Sequence, residues 1–346
     1  MTANLEDNFK MQQFLQALTR YLAEQTGAEV TLTDAQPLAG GASRDTWMLS
    51  ATIGGETHQY VLRRDLPTQM FDEALTREQE FRLMDAAHKS GVKVAAVRYC
   101  CTDTSVLGSA FFIMDYVPGI SIGRRVIQEP DLAPARRQLP QQIALELAKI
   151  HQLPYAEYGI DFLPRPRENM TPAQTTIAGS YEMLDAMGIK NPTWEWTLRW
   201  AERHQPPPPT VTFVHGDVRI GNVLVDKDGL TAVIDWEFGH VGDPDEELGY
   251  PCMRDWRFGN GTLHFAGLAD RETFLQAYEA ASGRRVNRDS VTWWEIMGNI
   301  RWGIICMAQA NRHLSGKEQS VEFASLGRRS AEMQLEALRL IEHSGI

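Results

Sequence analysis

The sequence predicts an α+β fold in two lobes: a small N-terminal lobe of antiparallel β-sheet plus one helix, and a larger, mainly helical C-terminal lobe. Three observations carry this. Residues 29–65 alternate apolar and polar side chains around two glycine pairs, the pattern of half-buried strands joined by tight turns. From about residue 122 onward helical periodicity dominates. Between the two regions, Pro118-Gly119 interrupts any regular element. The expected division is 1–115 for the N-terminal lobe with a leading helix, 116–121 for a hinge and 122–346 for the helical lobe.

Each element follows from its own stretch. A leading helix is expected over 8–26, because Phe14, Leu15, Leu18, Tyr21 and Leu22 fall at helical spacing and Gly27 ends the run. A three-strand antiparallel meander spans 29–65, turning at Gly40-Gly41 and Gly54-Gly55. Residues 71–92 read as a helix with Asp72 near its start and Gly91 near its end. Strands are expected near 96–103 and 110–116. In the second lobe, "QQIALELAKIHQL" (141–153) has an apolar helical face, and the proline run at 206–209 is a stiff spacer. The short strands "TFV" and "VLV" flank "HGDVRIGN", "DKDG" (226–229) turns the chain, and "LTAVI" leads into "DWE". Three helices near 271–282, 288–312 and 320–343 close the lobe.

Composition narrows the function. With 34 basic and 45 acidic residues the formal net charge is −11, which argues against nonspecific nucleic-acid binding and against an anionic membrane surface. No apolar run approaches the roughly 20 residues that span a bilayer. The opening "MTANLEDNFKMQQF" is acidic and broken by polar residues, unlike a signal peptide. Cys100, Cys101, Cys252 and Cys306 form no paired CxxC pattern, so a reducing, cytoplasmic setting is expected. Oligomeric state stays open.

The chemistry concentrates in residues 211–244. A single aspartate in a turn usually serves the turn. Here Asp217 and Asn222 stand five residues apart on one loop, and Asp235 leaves the next strand. Asn222 and Asp235 offer the oxygen donors that Mg²⁺ prefers. Asp217 is placed to orient or deprotonate a hydroxyl, and Arg219 to supply charge for phosphates. Together these are the parts of phosphoryl transfer. Two other readings use the same stretch. One is a metal-dependent phosphoester hydrolase with His215, Asp217, Asp235 and His240 as ligands, and the other a nucleotide-binding scaffold without transfer activity.

"HGDVRIGN…VIDWE" resembles the catalytic loop and metal-binding motif of the aminoglycoside phosphotransferase and choline kinase-like family, which shares the protein-kinase fold. "GHVGDPDEELGY…RDWRFG" is most similar to the kinase domains of the group associated with acyl-CoA dehydrogenases. The resemblance implies a two-lobed protein-kinase-like fold, ATP and Mg²⁺ as cofactors, and a small-molecule hydroxyl substrate, with the last group pointing to a hydroxyacyl compound. It implies Asp217 as the base and Asn222 and Asp235 as metal ligands. "LAGGASRDTW" then falls at the phosphate loop, assigning Gly40, Gly41 and Ser43 to the nucleotide. Arg63 of "YVLRR" stands where kinases carry a phosphate-gripping Lys. Glu80 is its expected partner, with Glu78 and Glu73 as rivals, and the backbone at Asp115 and Val117 would meet adenine. "DWE" replaces the kinase D-F-G, and Glu247 stands where the family usually has Asp, as structural support. No A-P-E element follows "DWE", which argues against a protein kinase. His215 reads as an orienting histidine, His151 as packing, Asp243 as either a loop cap or a support of the site, and Trp293, Trp294 and Trp302 as core. The acceptor, and ATP against GTP, stay open.

Overall fold

The alternation in residues 29–65 becomes three strands. In the computed structural model, which describes residues 2–38, 44–65, 74–317 and 319–346, α1 (Thr2–Thr26) precedes β1 (Val30–Pro37), β2 (Arg44–Ile53) and β3 (Glu56–Asp65). Neighbouring strands pair antiparallel. Gly54 and Gly55 make the second turn with φ of 57° and 94°, a backbone that side chains with a Cβ resist. The other pair, Gly40-Gly41, lies outside the described residues, as does Ser43.

Helix α2 (Arg77–Lys89) begins later than the expected residue 71. Its start is set by a capping box: Thr76 Oγ1 accepts from the Gln79 N–H and Gln79 Oε1 accepts from the Thr76 N–H. β4 (Val97–Cys101), the one-turn α3 (Thr104–Leu107) and β5 (Phe111–Asp115) follow. The five strands form one sheet in the order β1-β2-β3-β5-β4. Leu49, Leu62, Phe111 and Ile113 on one face pack with Leu18 and Leu22 of α1.

The remaining helices are α4 (Gly123–Gln128), α5 (Ala133–His151), α6 (Pro172–Ala186), α7 (Pro192–Arg203), α8 (Pro244–Gly249), α9 (Arg271–Ser282), α10 (Arg288–Leu314), α11 (Val321–Leu326) and α12 (Arg329–Ser344). Strands β6 (Thr212–Val214), β7 (Val223–Asp226), β8 (Gly229–Val233) and β9 (His240–Gly242) lie between α7 and α8. Helix α5 starts before the expected 141, with Pro134 in its first turn and Pro140 accommodated inside it. The closing helix expected near 320–343 is two helices. Gly327 separates them where a Cβ would lie 2.9 Å from Ala310 Cβ. Trp293 and Trp294 of α10 are core, packed with Trp194 and Leu198 of α7, whereas Trp302 is partly buried. Among the described residues no helix is long and apolar enough to cross a membrane.

The chain divides into two compact units. The first comprises Met1–Gly119, Pro154–Phe162 and Thr231–Phe238, and the second Ile120–Leu153, Leu163–Leu230 and Gly239–Ile346. Two later segments fall with the first unit. Their backbones find partners there. Val233 N–H donates to Lys93 O (2.7 Å) and Leu75 N–H to Glu237 O (2.8 Å). Arg82 donates to Gly159 O and lies over the Phe162 ring. Asp235 is therefore built into the first unit.

Inside the second unit, α8 meets α10 at close range. A Cβ on Gly249 would lie 2.7 Å from Glu295 N and 2.8 Å from Val291 O. Backbone cannot step aside cheaply, so Gly249→Ala is expected to lower the unfolding free energy by about 1–3 kcal/mol. Gly179 of α6 has nothing within 4 Å of such a Cβ, and Gly179→Ala should add about 0.5–1 kcal/mol through helix propensity. Urea denaturation measures both, and an unchanged midpoint for Gly249→Ala contradicts the packing.

Candidate active site

The residues singled out by the sequence form two sets, one in each unit. In the first unit, Arg63 of β3 is buried, with 8% of its surface exposed. Its Nη1 lies 3.2 Å from Glu80 Oε1 and its Nη2 donates to Asp235 Oδ1 at 2.8 Å. Burial alone would lower the pKa of Arg63, but Glu80, Asp235 and Glu237 outweigh it and hold the guanidinium charged. Glu80, Met84 and Ala87 share the buried face of α2. Glu78 is exposed and Glu73 lies outside the described residues, so Glu80 is the helix carboxylate that meets Arg63. Arg64 points the other way along the strand, to Asp45 Oδ2 (2.6 Å) and Leu107 O (2.9 Å). Asp235, just beyond β8, has a φ of 69°, a strained left-handed backbone for a residue with a side chain.

Asp115 closes β5. Its N–H donates to Ala96 O (2.8 Å), and its carboxylate pairs with Arg98 at 2.7 and 2.5 Å. Tyr116 N–H donates to Gln59 O at 3.0 Å, and the chain leaves the sheet at Val117.

In the second unit, residues 215–222 bridge β6 and β7. Val218 and Ile220 are each 1% exposed and anchor the loop, alternating along it with Asp217 and Arg219. Glu247 of α8 fixes the loop's entry. Its carboxylate accepts from the His215 N–H (3.0 Å) and the Gly216 N–H (2.7 Å), and lies 3.0 Å from His151 Nε2. His151 Nδ1 is 2.7 Å from the Tyr278 hydroxyl. Burial would raise the pKa of Glu247, but His151, then His215, overcome it and hold the carboxyl below its ordinary value. His151 thus does more than pack, and Glu247 has the supporting place expected of it.

Asp217 and Asn222 are joined. Asn222 Nδ2 donates to Asp217 O (2.9 Å) and Asp217 Oδ2 (2.5 Å). Arg219 Nε lies 3.4 Å from Asp217 Oδ1, and the guanidinium sits 4.7 Å over the Trp256 ring. The Tyr250 hydroxyl also bonds the Asp217 side chain; burial first, then Asp217, raises the Tyr250 pKa well above its ordinary value. His215 is fully buried and its Nδ1 accepts from the Asp217 N–H at 3.3 Å, an orienting role. His240 faces Glu246 (3.5 Å), which Arg301 also holds (2.7 Å). Among the described residues no three His, Cys, Asp or Glu side chains gather to hold a metal ion. Asp243 caps α8, accepting from the Asp245 N–H (2.9 Å) and from Trp294 Nε1 (2.8 Å); burial, then Asp245, pushes its pKa up to about 6.

Three contributors escaped the sequence reading. Arg77 pairs with Glu80, and its spacing of three residues on a helix was the available signal. Tyr250 and Trp256 reach Asp217 and Arg219 through tertiary packing, which no local spacing announces.

A sequence profile described as the phosphotransferase enzyme family matches residues 34–294. Acyl-CoA dehydrogenase family member 10 of Mus musculus is 30% identical over 198 residues, covering 56% of this chain and 18% of that protein. The chain spans less than half the length of the curated relatives it matches. Among solved structures, a Ralstonia eutropha JMP134 protein taken for an aminoglycoside phosphotransferase superposes with a TM-score of 0.75 at 24% identity, over 94% of this chain and 98% of that one. A thermostable mutant of aminoglycoside phosphotransferase APH(4)-Ia, in ternary complex with AMP-PNP and hygromycin B, gives 0.59 at 17% identity, over 95% and 99%. These likenesses carry the protein-kinase-like fold expected from the sequence.

Glu247 offers a stability test. Glu247→Gln sets an amide N–H₂ among N–H donors and should cost about 1–3 kcal/mol at pH 7, the penalty of a buried polar group left unmatched. The native carboxyl pKa is lowered, so its stabilisation is complete above the unfolded value of about 4.3 and is lost as pH falls through the lowered native value. Urea denaturation should therefore show the gap between wild type and Glu247→Gln at pH 7, shrinking below about pH 4. A gap that grows on acidification contradicts the assignment.

Proposed function

The chain belongs to the phosphotransferase enzyme family, and on that premise we propose that it is an ATP-dependent small-molecule kinase, moving the γ-phosphoryl group to a hydroxyl of its acceptor. The observation that carries the reading is the clamp on Arg63, held between the carboxylates of Glu80 and Asp235. A buried cation so fixed is placed to receive nucleotide phosphates, with its planar fork serving in place of a lysine point charge. The APH(4)-Ia complex supports nucleotide use and a small-molecule acceptor.

Asp217 takes the proton of the acceptor hydroxyl as the O–P bond forms. Asn222 holds the Asp217 carboxylate in one rotamer through its amide N–H₂, so its Oδ1 is the atom left to serve a cation. Asn222 and Asp235 are the oxygen donors that suit Mg²⁺. Bound there, Mg²⁺ would neutralise charge on the β- and γ-phosphates. Arg219 adds positive charge beside the base. Glu247 keeps the loop backbone from shifting during the reaction. Catalysis of this kind is chiefly positioning and charge stabilisation.

Asp217→Asn keeps the size of the side chain and removes its basicity. Its kcat should fall by roughly 10²–10⁴, while calorimetry with Mg²⁺–AMP-PNP should show nucleotide affinity hardly changed. Affinity that collapses together with rate would make Asp217 a metal ligand and revive the hydrolase. Asp235→Ala should abolish turnover and weaken Mg²⁺-dependent nucleotide binding; near wild-type rates at saturating Mg²⁺ contradict its role. The acceptor is found by ADP release across a panel of hydroxyl compounds, hydroxyacyl compounds first.

A further inference from the structure

We propose that Arg77 is a positioning residue for nucleotide binding: through Glu80 it sets the place of Arg63, so this inference rests on the phosphotransfer reading of Arg63. Arg77 opens α2 and is fully buried. Its guanidinium reaches three parts of the first unit. Nη1 pairs with Glu80 Oε2 on the next turn of the helix. Nε lies 3.0 Å from Asp65 Oδ1 at the end of β3. Nη2 donates to Leu75 O (3.2 Å) and stands 4.0 Å from Glu237 Oε2. The ring of Phe112 lies 5.9 Å from the guanidinium carbon.

An Arg–Glu pair three residues apart on an exposed helix would do little. Here Glu80 is fully buried as well, and its two oxygens face two different arginines. With Arg63 alone, the Glu80 carboxylate could turn about its terminal torsion and still be paired. With Arg77 on the other oxygen it cannot turn without abandoning one partner. The remaining contacts of Arg77 repeat the pattern. Asp65 is two residues beyond Arg63 on β3, and Glu237 is two residues beyond Asp235. Arg77 therefore ties down both chain segments that Arg63 and Asp235 occupy, together with the carboxylate between them. Only a planar fork with several donors meets these directions at once, and a lysine ammonium does not.

The test is the affinity for Mg²⁺–AMP-PNP, measured by calorimetry below the unfolding midpoint of each variant. Arg77→Lys keeps a positive charge among the buried carboxylates, so no anion is left wholly uncompensated. It should weaken binding about 10–100-fold, the range for outer groups that orient a binding residue. In a Glu80→Gln background, where the relay is already cut, adding Arg77→Lys should change affinity less than about twofold. Asp65→Asn slackens Arg77 from its far side without touching Glu80, and should weaken binding by a smaller factor; it carries the test if Arg77→Lys does not fold. A purely structural Arg77 would lower the unfolding midpoint and leave affinity alone. Wild-type affinity in the folded Arg77→Lys and Asp65→Asn proteins, or additive losses in the double variant, overturns the proposal. Failure of the wild-type protein to bind Mg²⁺–AMP-PNP overturns the phosphotransfer reading itself, and this one with it.

Discussion

The candidate site depends on one buried arrangement, the guanidinium of Arg63 between Glu80 and Asp235. A charge withdrawn from water is costly unless it is paired. Two carboxylates meet that need, and in doing so they join β3, α2 and the segment after β8 at one point. The strained backbone of Asp235 persists because the surroundings over-determine it. Glu247 does the equivalent work in the second unit, where one carboxylate gathers two backbone N–H groups of the 215–222 loop and a histidine. Each unit thus fixes its reactive groups with a buried ion and not with apolar packing alone.

Such anchoring suits phosphoryl transfer, in which the protein contributes position and field more than covalent chemistry. Asp217 illustrates it. Its carboxylate is oriented by Asn222, with Arg219 and Tyr250 alongside. That carboxylate is thereby held to one direction, while Val218 and Ile220 keep its loop from drifting. Asp235 is built into the first unit and Asn222 into the second.

Much of this was legible in the sequence where physics is local. Alternation gave the meander, Gly54-Gly55 gave its turn, and the Asp217-to-Asn222 spacing put those two side chains on one loop, where they are joined. Glu80 shares a helical face with Met84 and Ala87, which favoured it over its rivals Glu78 and Glu73. What stayed hidden depends on contacts distant in sequence. The start of α2 went to the Thr76–Gln79 capping box and not to Asp72. The segments 154–162 and 231–238 joined the first unit, the one through the Arg82 side chain and the other through backbone bonds, and no periodicity encodes either. Arg77 stands three residues before Glu80 on α2, a local spacing, but Tyr250 and Trp256 carry ordinary residue types at unremarkable spacings, and only tertiary packing brings them to Asp217 and Arg219.

The central claim is transfer of a phosphoryl group to a small-molecule hydroxyl. Phosphorus NMR of the wild-type protein with Mg²⁺–ATP and the hydroxyl panel tests it directly. The account predicts that the γ-phosphate signal decays as that of a new phosphate monoester grows, with ADP formed in equal amount. ATP consumed to inorganic phosphate alone, or left intact with every acceptor while still bound, would contradict it.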